Sequence, residues 1–354
     1  MVERKHLAEA LRWSTEAEVG AVDVLAAGLG MAGPVLVAAS MGQFAFGMPA
    51  SLGALAASGV GAGAGARSQA RALALAVAPV ALAAICAAFA AGHGGTSNVI
   101  VVGLAVVAAI LGAYSRPMAL AAVRFAMFLV IVSNMAEGQP DRVLLLLLVA
   151  SGALWTAFLT FFFGAVVRRG RRGAPRMPSA APVVPRATQR LVRWKSVLAQ
   201  ASGWQFTLRL GACLAIAQAA RSLWPDHHLY WMALTVVILT QRQVERLPVM
   251  TTQRAVGTAL GVLAASLFLV YRPPVWGMIA CIGLLAGMRP LLKVRNYLLY
   301  SAIMAPLILL LLDGSDPIRP GLLLDRIGAT VAGALLVLAA NAIAAGVLAR
   351  PAAK

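Results

Sequence analysis

Ionisable and aromatic side chains meet in one short stretch of the chain, between Trp224 and Trp231. Imidazoles change charge in the physiological pH range, so histidines here could carry protons, while the neighbouring rings could hold a flat solute. The alternative is an aromatic belt at a membrane surface, where Trp and Tyr need no ligand. The candidate solute-binding or proton-binding residues in and just after this stretch are His227, His228, Tyr230, Trp231, Thr235 and Gln241.

Arginines form a second group of candidates, at what we predict to be the cytoplasmic ends of helices. A guanidinium binds a carboxylate through two parallel hydrogen bonds, so these residues could form a basic vestibule that concentrates organic anions. Anchoring of the helices by positive residues on the inner side explains them equally well. The six are Arg71, Arg116, Arg124, Arg254, Arg289 and Arg295.

Two carboxylates, Asp23 and Asp325, join the histidines as candidate proton carriers. Ionisable groups are energetically costly in membrane segments, and where they occur they usually have a function. Walker A, nucleophile-elbow and zinc-protease motifs do not occur in the sequence. We therefore expect neither an ATP-driven pump in itself nor an enzyme, and we predict no catalytic residue, cofactor or metal site.

The elements that position these residues must be membrane helices. Of the 354 residues, 61% are hydrophobic and only 12% are charged, and the mean hydropathy is +0.84. Long apolar runs without alternation exclude a transmembrane barrel, so we predict an all-α polytopic membrane protein with about 12 transmembrane helices. The formal charge of +18 fits cytoplasmic loops rich in Lys and Arg, so no nucleic acid partner is expected.

Apolar runs divide into two sets of six around a basic segment that contains four prolines. An even number of helices in each half predicts two parallel six-helix repeats, with both termini cytoplasmic. The motif at Arg116-Pro117 is similar to Arg289-Pro290 and supports such a repeat. The predicted divisions are an amphipathic N-terminus (1–20), the first bundle (21–167), a cytoplasmic linker without regular structure (168–195), the second bundle (196–349) and a tail (350–354).

The second helix of each half is the expected place for a substrate pathway. In the first half this helix is expected near residues 44–63, where Phe46 and Pro49 lead into a glycine-rich stretch, and in the second half it covers only residues 229–240. Short or interrupted helices at corresponding places in two repeats often build transporter sites, because unwound backbone can contact the substrate. Close helix packing through Gly and Ala is the simpler alternative.

A family resemblance rests on two adjacent stretches of the second half. The first runs from His228-Leu229-Tyr230-Trp231 to Gln241, and the second contains Arg254 with Gly257 and Gly261. Together they resemble the signature of the fusaric acid resistance and aromatic acid exporter family, here in a short form without a large cytoplasmic domain. In this pattern Gly257 and Gly261 form a small-residue face for close helix packing.

The resemblance implies a multi-pass protein of the bacterial inner membrane that exports aromatic carboxylic acids or similar amphipathic organic anions by secondary transport. The expected partners are the bilayer, a small organic anion, and either a membrane-fusion protein or further copies of the chain. A distant similarity to the six-helix bundle of plant malate channels leaves an anion channel-like permease open. A scaffold that recruits a partner through its basic linker is the alternative from another class.

Overall fold

Helices account for all regular secondary structure in the computed structural model, which describes residues 19–60, 65–137, 139–170, 186–240, 247–271, 273–313 and 320–348. These residues form thirteen helices and no strand. The helices are α1 Ala21–Ser40, α2 Phe44–Ala54, α3 Ala66–Ala90, α4 Gly95–Gly112, α5 Arg116–Glu137, α6 Arg142–Gly170, α7 Ala187–Ala199, α8 Ala201–Leu223, α9 Tyr230–Leu239, α10 Leu247–Val270, α11 Val275–Arg295, α12 Tyr297–Asp313 and α13 Pro320–Leu348.

Seven of these helices are long and apolar enough to cross a membrane, namely α1, α3, α4, α5, α6, α11 and α13. Three more, α2, α9 and α12, are apolar but shorter. Large apolar side chains point outward from the bundle, including Phe89 and Val99, which are 77% and 72% exposed. Because that surface would be unfavourable in water, it fits a surrounding of lipid. The chain is therefore a multi-pass membrane protein, as its composition predicted.

The short helices α2 and α9 lie in the interior. They have 11 and 10 residues, which corresponds to roughly 16 and 15 Å, about half the thickness of a bilayer core. Almost every residue from Gly47 to the end of α2 is buried, and in α9 only Ile238 is partly exposed. Both second helices are thus short and enclosed. The sequence predicted a short helix for α9, but for α2 it predicted a helix near residues 44–63, and α2 ends at Ala54.

Helix pairing follows the same pattern in both halves. In the first half α2 packs against α1 and α6, and α5 packs against α3 and α4; in the second, α9 packs against α8 and α13, and α12 against α10 and α11. Contacts between the halves are reciprocal as well. The α1–α11 contact has its counterpart in α8–α4, and the α2–α12 contact in α9–α5.

Glycines allow several of these helix pairs to approach closely. A Cβ on Gly53 of α2 would overlap the carbonyl oxygen of Val149 in α6, and one on Gly152 of α6 would overlap that of Ala50. In α1, a Cβ on Gly28 would lie 2.9 Å from the carbonyl oxygen of Gly283 in α11. These positions have no room for a side chain, so the backbone contact itself fixes how the helices cross.

Two predictions from the sequence are wrong in detail. The segment 168–195 is not irregular throughout, because α6 continues to Gly170 and residues 187–199 form α7. The last proline of the segment is Pro185, and the apolar residues that follow it recur at helical spacing, so α7 can form there. The Arg-Pro motifs are also not equivalent: Arg116 opens α5, whereas Arg289 lies inside α11. The predicted N-terminal amphipathic helix falls mostly outside the described residues.

Candidate functional site

A tight corner between α11 and α12 gathers cationic and aromatic side chains. Asn296 has an extended backbone, and its side-chain oxygen accepts a hydrogen bond of 3.0 Å from the amide of Leu299, which caps the start of α12. We call this side of the bundle the basic end; the starts of α8, α10 and α12 and the ends of α11 and α13 lie there. The side with the loop 224–229 is called the histidine end.

Arg254 reaches the corner from α10. It is the eighth residue of that helix and only 4% exposed. The close approach of α10 to α12 depends on Gly257 and Gly261, since a Cβ on Gly257 would lie 2.5 Å from the carbonyl oxygen of Leu298 and one on Gly261 would overlap that of Ala302. Across this contact the guanidinium of Arg254 lies close to the hydroxyl of Tyr297.

Arg289 reaches the same corner from α11 and is 8% exposed. Its guanidinium donates a hydrogen bond to the hydroxyl of Ser58, in the turn that follows α2, and lies 3.8 Å from the sulfur of Met31. It also lies close to the hydroxyl of Tyr300. The rings of Tyr297 and Tyr300 have centroids 5.8 Å apart with planes tilted by 32°, so both phenols face the arginines together.

Neither of these buried guanidiniums pairs with a carboxylate in the described part of the chain. The Nε atoms of Arg254 and Arg289 are buried and make no hydrogen bond, and Lys293 adds a further positive charge close to Tyr300. A buried cation is costly unless an anion and good hydrogen bonds compensate it. This arrangement is therefore suited to receive an anion with two or more acceptor oxygens. We call Arg254, Arg289, Tyr297 and Tyr300 the arginine–tyrosine cluster.

The histidine end is built differently, because a carboxylate lies at its centre. Asp325 of α13 lies 2.8 Å from Nδ1 of His227 and 3.2 Å from Nδ1 of His228, and it accepts a hydrogen bond of 3.1 Å from the amide of His228. The next residue, Arg326, is 2% exposed and places its guanidinium carbon 3.1 Å from the ring centroid of Trp231. This end thus has three candidate proton carriers in contact, with a cation–π pair beneath them.

The carboxylate of Asp325 joins α13 to the loop 224–229 through its hydrogen bonds with His227 and His228. Replacing Asp325 with Asn removes the negative charge of this acceptor. The free energy of local opening of the loop should fall by about 1–2 kcal/mol, so the open state should be roughly tenfold more populated. Hydrogen–deuterium exchange of a peptide covering 224–229 should rise accordingly. Asp226→Asn, an exposed acid in the same loop, is the control. Unchanged exchange in Asp325→Asn would show that other contacts hold the loop.

The predicted pathway residues do not form a single group. Trp231 and Thr235 pack on α13, through Arg326 and Gly333 respectively. Tyr230 is buried beside Trp231, with ring centroids 4.5 Å apart. In the other half, Pro49 is buried in α2, Phe46 is 42% exposed, and the neighbours of Pro49 pack on α6.

The predicted basic vestibule is gathered only in part. Arg254 and Arg289 converge, and Arg295 ends α11 at the same corner. In the first half, Arg71 and Arg116 are exposed, and Arg124 donates a hydrogen bond of 3.3 Å to the carbonyl of Leu75. Asp23 lies in the first turn of α1, away from the histidine end. Gln241 lies outside the described residues.

Sequence reasoning missed Tyr297, Tyr300 and Ser58. The two tyrosines are three residues apart, so they share one face of α12, and they directly follow a run of basic residues that ends at Arg295. Paired tyrosines beside a basic run are a sequence signal for an anion-binding site. No sequence signal points to Ser58, since its contact with Arg289 joins residues that are 231 positions apart.

A comparison with protein-family models finds a match in the second half of the chain. Residues 212–340 match the family described as fusaric acid resistance protein-like, and this range includes all four residues of the arginine–tyrosine cluster. No curated protein and no solved structure matches the chain. The second half of this membrane protein is accordingly similar, over residues 212–340, to the fusaric acid resistance protein-like family.

Proposed function

We propose that the protein is a secondary transporter that exports organic anions, with the arginine–tyrosine cluster as its inner binding site for a carboxylate. The observation that carries this proposal is the burial of two guanidiniums, Arg254 and Arg289, without a carboxylate partner among the described residues. An anionic substrate would supply the missing charge. The family match of residues 212–340 supports transport as the general activity.

Aromatic carboxylic acids are the proposed substrates. The guanidiniums offer bidentate hydrogen bonds to a carboxylate, and the paired rings of Tyr297 and Tyr300 offer a surface on which a flat ring can stack. Both phenol hydroxyls already interact with the arginines, so they could turn to donate to a bound carboxylate. The family name is consistent with such a substrate.

The proposed architecture has 12 membrane helices in two parallel repeats, with the basic end in the cytoplasm of a bacterial cell. The repeated pairing of helices within the halves and the reciprocal contacts between them support a pseudo-two-fold axis along the membrane normal. The positive loops at the basic end support the orientation. The short buried helices α2 and α9 would flank the pathway, with Pro49 in α2 and Trp231 and Thr235 in α9 along it.

Coupling to protons is the proposed source of energy. Asp325, His227 and His228 lie in contact at the histidine end, where a proton could be exchanged with the outside. Asp23, a further candidate carrier, would serve the basic end. Collapse of the proton gradient should then stop uphill export, and uphill export that continues after collapse would exclude this coupling.

Flux through proteoliposomes tests the transport proposal. The wild type should release a radiolabelled aromatic carboxylate, such as benzoate, at a saturable rate. Arg254→Gln should lower the flux at low substrate concentration by about 10-fold to 100-fold, because a hydrogen-bonded charge pair contributes about 1.5–3 kcal/mol. Arg67→Gln, which removes an exposed cation at the start of α3, is the matched control. Absence of flux for aromatic and aliphatic carboxylates would contradict transport, and flux unaffected by Arg254→Gln would contradict the site.

A further inference from the structure

The helix α7 is held at the basic end of the bundle by two tryptophans. The indole nitrogen of Trp194 donates a hydrogen bond of 3.1 Å to the carbonyl of Ile110, at the end of α4, and the Trp194 ring meets Tyr114 edge-on at 6.4 Å. Trp204 of α8 donates a hydrogen bond of 2.8 Å to the carbonyl of Leu198. These contacts place α7 across the ends of spanning helices, where the bilayer surface must lie.

Three sides of α7 have different characters. At 100° per residue, the half-buried residues Arg190, Trp194, Val197 and Leu198 share the side that faces the bundle. A second side, centred near Leu191 and Lys195, is exposed although Leu191 is apolar, and the adjacent Val192 is 69% exposed. The remaining side, with Gln189, Arg193 and Ser196, is polar and exposed. Exposed apolar residues beside cations are the pattern of a helix that lies in a membrane interface.

The charge of α7 is entirely positive. Arg190, Arg193 and Lys195 lie within the helix, Arg186 precedes it, and residues 187–199 contain no Asp or Glu. Lys and Arg near a membrane surface are attracted to anionic headgroups, and their aliphatic stems can lie along the apolar layer. Because the tryptophans fix α7 at the level of the helix ends, a lipid phosphate can reach these cations more readily than a folded soluble partner can.

We propose that α7 is an interfacial helix that inserts Leu191 and Val192 below the headgroup level and binds the phosphates of anionic lipids through Arg190, Arg193 and Lys195. The occupant of this surface is the headgroup layer of the bilayer in which the protein resides. The site is independent of the arginine–tyrosine cluster and would exist whether or not the protein transports anions.

Depth of insertion is tested in nanodiscs that contain phosphatidylglycerol and lipids with a nitroxide near the headgroup. A fluorophore is attached at Leu191→Cys or, as the matched control on the polar side, at Ser196→Cys, with Cys86, Cys213 and Cys281 replaced by alanine. We expect strong quenching at position 191 and at least about threefold weaker quenching at 196. Equal, weak quenching at both positions would overturn the interfacial placement.

Lipid preference is tested by the ratio of phosphatidylglycerol to phosphatidylcholine that remains bound to the purified protein in native mass spectrometry. Each cation near the surface contributes roughly fivefold to the affinity for anionic lipid, so Arg190→Gln/Arg193→Gln/Lys195→Gln should lower the preference by about 100-fold. The control Arg190→Lys/Arg193→Lys keeps all three positive charges of α7, so the preference should stay within a few fold of the wild type. An equal loss in this control, or no loss in Arg190→Gln/Arg193→Gln/Lys195→Gln, would overturn the proposal.

Discussion

Ser58→Asp is expected to stabilise the protein and to stop anion transport at the same time. The Ser58 hydroxyl accepts a hydrogen bond from the guanidinium of Arg289. A carboxylate at this position would form a charge-assisted pair with a cation that is now buried without one, which should raise the stability by about 1–3 kcal/mol. The same carboxylate would occupy the site of the substrate and lower anion binding by about 100-fold. Thermal unfolding of the purified protein and flux in proteoliposomes measure the two effects.

The neutral variant Ser58→Asn separates charge from shape. It keeps an acceptor oxygen for Arg289 but adds no negative charge, so transport should stay within a few fold of the wild type. Greater stability of Ser58→Asp together with undiminished transport would mean that Arg289 only joins the two halves. Loss of stability in Ser58→Asp would contradict the claim that the cation is uncompensated.

Gly152→Ala is expected to disrupt the packing of α2 in the first half. The added Cβ would overlap the carbonyl oxygen of Ala50, and α2 cannot withdraw from α6 because α2 lies in the interior. Overpacking of this kind costs about 3 kcal/mol and forces the helices apart. The apparent Tm of the detergent-solubilised protein should fall clearly, and transport should fall with it because α2 leads to the turn that holds Ser58.

Gly103→Ala is the matched control for this substitution. Gly103 also lies inside a helix, α4, but a Cβ there would meet nothing within 4 Å. Alanine is the better helix former by about 0.8–1 kcal/mol, so this variant should be as stable as the wild type or slightly more stable. A Tm for Gly152→Ala equal to that of Gly103→Ala would contradict the close contact between α2 and α6.

Much of the architecture follows from local signals in the sequence. Apolar runs near the length of a bilayer crossing predicted the long helices, and the short run at 229–240 predicted the enclosed helix α9. The other short helix, α2, was predicted too long, because the composition stays apolar after residue 54 while the backbone leaves the helix, with Gly59 at a φ of +86°. Boundaries of this kind depend on backbone freedom, which hydropathy does not register.

The candidate site was predictable only as a set of residue types. Arg254 and Arg289 were selected for their position at helix ends, but Arg71 and Arg116 met the same criterion and are exposed. What distinguishes the two pairs is tertiary: Gly257 and Gly261 draw α10 against α12, and the corner at Asn296 turns the tyrosines toward the arginines. The spacing of Gly257 and Gly261 predicted a packing face, but the sequence does not show which helix packs against it or where the tyrosines point.

Equilibrium binding of an aromatic carboxylate to the purified protein tests the central claim most directly. Radiolabelled benzoate would be titrated against the wild type and against Arg254→Gln/Arg289→Gln, with benzamide as the neutral competitor. The arginine–tyrosine cluster predicts saturable binding by the wild type, a loss of at least about 100-fold in the double variant, and no competition by benzamide. Equal binding by the double variant, or competition by benzamide as strong as by unlabelled benzoate, would contradict it.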